Sequence, residues 1–394
     1  MQNQHHGVNR RQFLRTTGVA TLGAGIGSRL IHPGAALAEQ APKTADLGIA
    51  RGSNMEEAVR KAVELSGGMD FIKEGQSVLI KPNCTGAAHN PTTTSPEVLY
   101  AVIKLVSERG PRKIIVSDRS FSPLFVQDPE KALTNPTTLY VMKRIGHLDA
   151  VEQAKSEFNA PVVACGLEDP AQQFEELGLP RDTPHWRKVK PMLSTHWPNG
   201  YELAELLFAV DHVVNVPVIK THFQAWFTMS MKAFVGMSHH RTRREFHGSF
   251  HGNNDLFNQK SSGRRRRRGR AGHEEEIKEV QPFVSRISEL NLGIRPALNI
   301  LDGTRSFVFG GPSQGDTVDP KLCIASRDRI AADATGVAVL KRYGTERRLQ
   351  RYSVWENPFI RHGIDVGLGI DGRDKLNVKH AGMDDIDQIL EMLA

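Results

Sequence analysis

From Leu47 onward, short β-branched and aliphatic runs alternate with stretches of helical periodicity, and this alternation constrains the fold more than any other feature of the chain. A helical pattern over 55–66 precedes the run Ser77-Val78-Leu79-Ile80, and a second over 96–108 precedes Lys113-Ile114-Ile115-Val116. Further apolar runs lie at 161–164, 210–219, 297–301 and 322–325. Parallel strands need a crossover of a dozen or so residues, and a helix supplies it, so this grammar predicts an α/β fold. The expected architecture is a mostly parallel sheet covered by helices on both faces. A chain of 394 residues can form it as one large domain with insertions or as two lobes.

The formal charge of +7 is concentrated in two places. Residues 1–38 hold four Arg and no acid, and residues 264–270 hold six Arg; removing the first leaves +3, and removing both leaves −3. The body of the chain is therefore near neutral, which argues against a broad basic surface for nucleic acid. The N-terminal segment resembles a twin-arginine export signal: Arg10-Arg11 with Phe13 and Leu14, a weakly apolar Gly-rich stretch, and Ala36-Leu37-Ala38 as a small-residue cleavage site. Cleavage of 1–38, use of the twin-arginine translocase and a periplasmic or otherwise extracytoplasmic location are the resulting expectations. The other basic run, Arg264, Arg265, Arg266, Arg267 and Arg268, lies in 241–279, a polar, Gly-rich segment that breaks the pattern. It reads as a flexible basic and acidic insertion into an α/β domain made of 39–240 and 280–394, with an anionic membrane surface as a partner the run would suit.

Open parallel sheets bind ligands beyond the carboxyl ends of their strands. The runs here end in Lys81-Pro82-Asn83, Ser117-Asp118-Arg119-Ser120, Lys220-Thr221-His222 and Asp302-Gly303. Thr228 is placed to cap a short helix carrying Ser230 and Lys232 near its positive pole, which suits a phosphate or carboxylate. Asp333, in a helix opened by Asp328, falls on or beside the apolar face, where a carboxylate needs a partner; Lys81, Lys220 or Lys232 could supply one. The reading is an anionic small-molecule pocket in which Lys81, Asn83, Lys220, Ser230 and Lys232 bind, while His222, Asp302 and Asp333 act in catalysis.

Other patterns carry less. Gly311-Pro312-Ser313-Gln314-Gly315 has the spacing of a hydrolase elbow but not the strand before it and helix after it. Gly367-Leu368-Gly369-Ile370-Asp371-Gly372 has dinucleotide-loop spacing but leads into a turn and short strand. His239, His240, His247 and His251 are weak candidates for a transition metal; His247 and His251 are four apart, but Gly248 and Gly252 argue against a helix that presents them. Cys84, Cys165 and Cys323 are too scattered for an iron–sulfur cluster, and the cofactor is left open.

Taken in order, Lys81-Pro82-Asn83, the run 210–222 with Thr228, Lys232 and Gly236, Asp302-Gly303, the Gly310–315 loop, Ala325-Ser326-Arg327-Asp328 with Asp333, and Gly367-Leu368-Gly369 resemble the domain of unknown function 362 family over roughly 75–385. The resemblance implies an α/β domain without an assigned reaction. Some members add ferredoxin-like cysteine clusters, which this sequence does not have. Ala233 and Phe234 stand where the family pattern has an Asn after the lysine, so no polar role carries over to position 233. The alternatives to an enzyme are a non-catalytic binding or assembly protein of the cell envelope and a metalloprotein using the His-rich segment.

Overall fold

The computed structural model describes residues 44–120, 137–248 and 273–394. The export segment 1–38 and the arginine run 264–268 lie outside them. Eight strands form one sheet: β1 (Ala45–Arg51), β2 (Ser77–Pro82), β3 (Lys113–Asp118), β4 (Val162–Gly166), β7 (His212–Val216), β10 (Leu298–Gly303), β13 (Leu322–Ser326) and β14 (Leu376–Ala381). Three hairpins flank it: β5 (Trp186–Val189) with β6 (Tyr201–Ala204), β8 (Lys220–His222) with β9 (Trp226–Thr228), and β11 (Ser306–Phe307) with β12 (Thr317–Val318). The sheet order is β14-β1-β13-β10-β7-β2-β3-β4. Only β13 runs against its neighbours; every other adjacent pair is parallel.

Helices cover both faces, and the period of two along each strand divides the apolar residues between them. Val78 and Ile80 of β2 join a core with α1 (Met55–Leu65), α2 (Pro96–Ser107) and α3 (His147–Phe158), while Leu79 joins the opposite one. That second core holds the short α4 (Ser230–Ala233), α5 (His273–Leu290), α6 (Arg329–Arg342), α7 (Pro358–Asp365) and α8 (Ile386–Leu393). Helix starts follow local chemistry. Asn54 Oδ1 accepts from the amides of Glu56 and Glu57 at 3.0 and 3.3 Å, and two acids sit in the first turn of α1. Pro96 opens α2, where its missing N–H costs nothing. Asp328 caps α6 through the amide of Ala331 at 2.8 Å.

Two expectations need correction. The apolar run 210–219 is not one strand: β7 stops at Val216, because Pro217 has no N–H for the ladder, and Val218 makes only an isolated bridge to Asp302. The segment 241–279 is not a loop throughout, since helices span His240–Gly248 and His273–Leu290 at its two ends. No helix of the described residues is long and apolar enough to cross a membrane.

Candidate functional site

From β2 the chain proceeds to β3 and β4 on one side, whereas β7, on the other side of β2, leads to β10. The strand order reverses between β2 and β7, and such a reversal opens a crevice beyond the carboxyl ends of the two strands. Lys81 stands opposite Asn215 in the β2–β7 register, so the sheet delivers it to that crevice.

Lys81 is 1% exposed, and its ammonium lies 3.2 Å from Asp118 Oδ1 and donates to the carbonyl of Pro82 at 2.9 Å. Asp118 Oδ2 accepts from the amide of Cys84 at 2.8 Å, whereas Oδ1 faces the Lys81 ammonium. Gly236 closes over this pair: a Cβ there would fall 2.0 Å from Asp118 Oδ1 and 3.1 Å from Lys81 Nζ, so the backbone can approach only without a side chain. The carbonyl of Gly236 accepts from Arg243 at 2.6 Å, and Arg243 also donates to the carbonyl of Arg119. The Arg119 guanidinium, 5% exposed, rests over Trp186 at 5.6 Å and donates no hydrogen bond among the described residues.

Two more buried lysines complete the cluster, and they differ in their partners. Lys220 donates to the carbonyls of Thr92 and, at 3.1 Å, of Pro312, so it clasps two loops. Lys232, 8% exposed, has no hydrogen bond or ion pair among the described residues, and neither has the side chain of Asn83. Burial, then the neighbouring Lys232 and Lys81, pushes Lys220 down to about 7. Burial, then Arg243 and Lys81, pushes Lys232 down to about 7. Burial likewise lowers Lys81 against the pull of Asp118, and lowers Arg243 to about 9.

The expected catalytic groups have their acceptor atoms occupied by backbone. Asp302 accepts from the amides of Ser95 and Thr304 at 2.7 and 2.9 Å and from Asn90 Nδ2 at 2.9 Å. His222 Nδ1 accepts from the amides of Gln224 and Ala225, and its ring stacks on Phe223. Asp333, fully buried, accepts from the amides of Ser230 and Met231 at 2.6 and 3.1 Å, and burial pushes it up to about 7. The partner expected for Asp333 was a lysine; the structure gives it the start of α4 instead. It also displaces Thr228 from the expected capping role, and the Thr228 hydroxyl has no partner among the described residues.

A sequence model of the family described as "Domain of unknown function (DUF362)" matches residues 78–338, two thirds of the chain. The chain belongs to the DUF362 family. It is 24% identical over 279 residues to the thylakoid-associated protein sll1697 of Synechocystis sp., covering 70% of this chain and 67% of that protein. It also matches a structural-genomics crystal structure of a Thermotoga maritima protein at 14% identity and a TM-score of 0.37, over 71% of this chain; the chain spans 57% of that structure.

In this DUF362 chain the structure thus brings Lys81, Lys220 and Lys232 within electrostatic reach of one another, and adds three groups that the sequence does not mark as part of the site. Asp118 and Arg119 are visible in the sequence as a polar strand end, but neither is among the expected anion ligands Lys81, Asn83, Lys220, Ser230 and Lys232. Arg243 lay in the segment read as an insertion, so nothing local marked it as buried. Among the histidines, His239 and His240 are adjacent rings at 4.1 Å, and burial beside Arg119 and Arg241 pushes His239 to about 4, burial and His239 itself doing the same for His240. His239 Nδ1 lies 3.1 Å from Glu202. His247 and His251 lie outside the residues whose side chains are described. Cys84 is wholly buried and burial pushes its thiol well above the usual range, which suits packing rather than a thiolate. The two rejected glycine motifs lie in loops: Gly311 packs on the carbonyl of Thr221, and Gly367–372 leads to a short 3₁₀ turn and β14.

Proposed function

We propose that this protein binds an anionic small molecule, bearing a phosphate or carboxylate, in the crevice beyond β2 and β7. The observation that carries the reading is that Lys232 and Arg119, both more than nine-tenths buried, have no acceptor among the described residues. Five buried cations, Lys81, Lys220, Lys232, Arg119 and Arg243, face three carboxylates, Asp118, Asp302 and Glu168. A buried charge without a partner is costly, so an excess of this sign favours an anion. In this reading Lys232, Arg119 and Asn83 contact the ligand, Lys220 and Asp302 hold the surrounding loops, and Lys81 with Asp118 orients the base of the crevice. A lysine that titrates near neutrality can also move a proton at physiological pH, which is the form in which the site would be catalytic. A thermal-shift and calorimetric screen of orthophosphate, pyrophosphate and dicarboxylates tests it. Binding by the wild type that Lys232→Met weakens by at least about 2 kcal/mol is expected. Equal affinity in the variant overturns the assignment.

Export by the twin-arginine route belongs to the same proposal and rests on Arg10, Arg11, Ala36 and Ala38. Replacing both arginines by lysine should leave an uncleaved precursor in the cytoplasm, and a mature protein beginning near Glu39 should otherwise be recovered outside it. A second reading, a non-catalytic protein held at a membrane face, is favoured by the thylakoid association in the relative's name together with the run Arg264–Arg268. Deleting 261–272 should then weaken binding to anionic vesicles in a salt-dependent way, and unchanged binding would remove this reading.

A further inference from the structure

On the opposite face of the sheet from α1 and α2, Glu289 is buried to 0% exposure in the last turn of α5. It collects five donors. Oε2 accepts from Ser194 Oγ at 2.7 Å and the amide of His196 at 2.8 Å. Oε1 accepts from Thr195 Oγ1 at 3.0 Å and faces His196 Nδ1 at 2.6 Å and His362 Nε2 at 3.3 Å. These donors hold the carboxylate ionised, well below the usual carboxylate range against the opposing effect of burial. Yet no lysine or arginine pairs with it among the described residues, and the last turn of α5 has no basic residue. The helix carboxyl end adds its own negative partial charge at this point. Arg329 donates to the carbonyls of Asn291 and Ile294 just beyond the helix, but not to Glu289. Among the described residues Glu289 thus faces no permanent cation but two imidazoles, which approach it from separate segments: the loop between β5 and β6, and α7.

We infer that His196 Nδ1, Glu289 Oε1 and His362 Nε2 form a binding site for a divalent transition-metal ion of the zinc class. The three ligand atoms lie within 4.8 Å of one another, and the two rings meet edge to face at 5.4 Å. Two imidazole nitrogens and one carboxylate oxygen suit zinc or cobalt rather than calcium or magnesium, which take all-oxygen shells. An ion with bonds of about 2.1 Å in tetrahedral geometry holds its ligands roughly 3.4 Å apart. The His362–Glu289 separation already meets that spacing, and His196 needs to open by less than about 1 Å as the proton on its Nδ1 passes to water, the neutral coordinating ring carrying its proton on Nε2. His196 is one-third exposed, which gives the ion a path and leaves a coordination position toward water. The site shares no residue with the lysine crevice and does not depend on the reading of that crevice.

The test is a cobalt titration of the tag-free, metal-stripped full chain, read by the visible ligand-field bands of tetrahedral cobalt, beside the zinc dependence of Tm. One equivalent is expected to bind and zinc to raise Tm. His196→Gln and His362→Gln should each weaken binding by more than the roughly 10–100-fold that loss of an outer-shell group costs. His239→Gln with His240→Gln should leave it unchanged. Absence of stoichiometric binding by the wild type, retention in either triad variant, or loss in the His239/His240 control overturns the site. X-ray absorption of the cobalt-loaded wild type keeps the test independent of variant folding: two imidazoles in the coordination shell support the site, and fewer overturn it.

Discussion

The lysine crevice and the Glu289 cluster are both buried, both polar and both assembled from distant segments, but they are unbalanced in opposite directions. At the crevice, buried cations outnumber carboxylates, and the side chains of Lys232 and Arg119 donate no hydrogen bond among the described residues. At Glu289, one carboxylate is surrounded by five donors, none of them a permanent cation. Structural charge clusters normally reach balance within the chain, because uncompensated charge in a poorly solvated site is expensive. The sign of each imbalance is what the two proposals rest on: an anion for the first region and a cation for the second. Lys220 sharpens the contrast, since it is as buried as Lys232 yet has two carbonyls to itself and so has a structural reason to be where it is.

Substitutions should separate the two regions by size and sign of effect. The largest loss is expected for Glu289→Ala, which strands five donors and unties three segments; urea unfolding should show about 2–5 kcal/mol of destabilisation. A loss below about 1 kcal/mol would mean that the cluster is held by its surroundings. Gly236→Ala should cost about 1–3 kcal/mol, because a methyl group cannot share space with Asp118 Oδ1, and it should weaken anion binding through the displaced Lys81–Asp118 pair. Lys232→Met should do the opposite to stability, raising that of the ligand-free protein by about 1 kcal/mol while abolishing anion binding, since it removes a buried charge without a partner. A destabilised Lys232→Met protein would show that the ammonium has a structural partner after all.

The smallest effect is a pH dependence. Lys220 and Lys232 titrate near 7 folded and near 10.5 unfolded, so between these values the unfolded chain binds more protons, and stability of the ligand-free protein should rise as pH increases through that window. Asp333, pushed up to about 7, acts with the other sign but over lower pH, losing stability as pH rises from about 4 toward 7. Tm followed between pH 7.5 and 9.5 should therefore rise in the wild type and less steeply in Lys232→Met. Identical slopes would assign the rise to other groups.

How much of this was legible in the sequence depends on the range of the contacts. The sheet was readable because strand and helix periodicities are local, and only the strand ends drifted, most visibly where Pro217 cut an apolar run short. The positions of Lys81 and Lys220 just after apolar runs were readable. Their partners were not. Asp333 reaches the start of α4 across 103 residues and Asp302 reaches Ser95 across 207, and no spacing in the chain marks either contact. The residues expected to do chemistry, His222, Asp302 and Asp333, have their acceptors occupied by backbone amides for that reason, whereas Arg243 was overlooked because its surroundings are polar in sequence though buried in space. His196 and His362, separated by 166 positions, meet only through α5 and α7.

The central claim is that Lys232 is an ammonium waiting for an anion, and NMR of its side-chain Nζ in lysine-labelled protein, assigned through Lys232→Met, tests it most directly. The account predicts a Lys232 pKa near 7 in the free protein that rises when orthophosphate or a tighter anion from the screen is added, because the bound charge stabilises the protonated form. A Lys232 resonance that titrates near 10.5 and does not respond to any of the anions would contradict it.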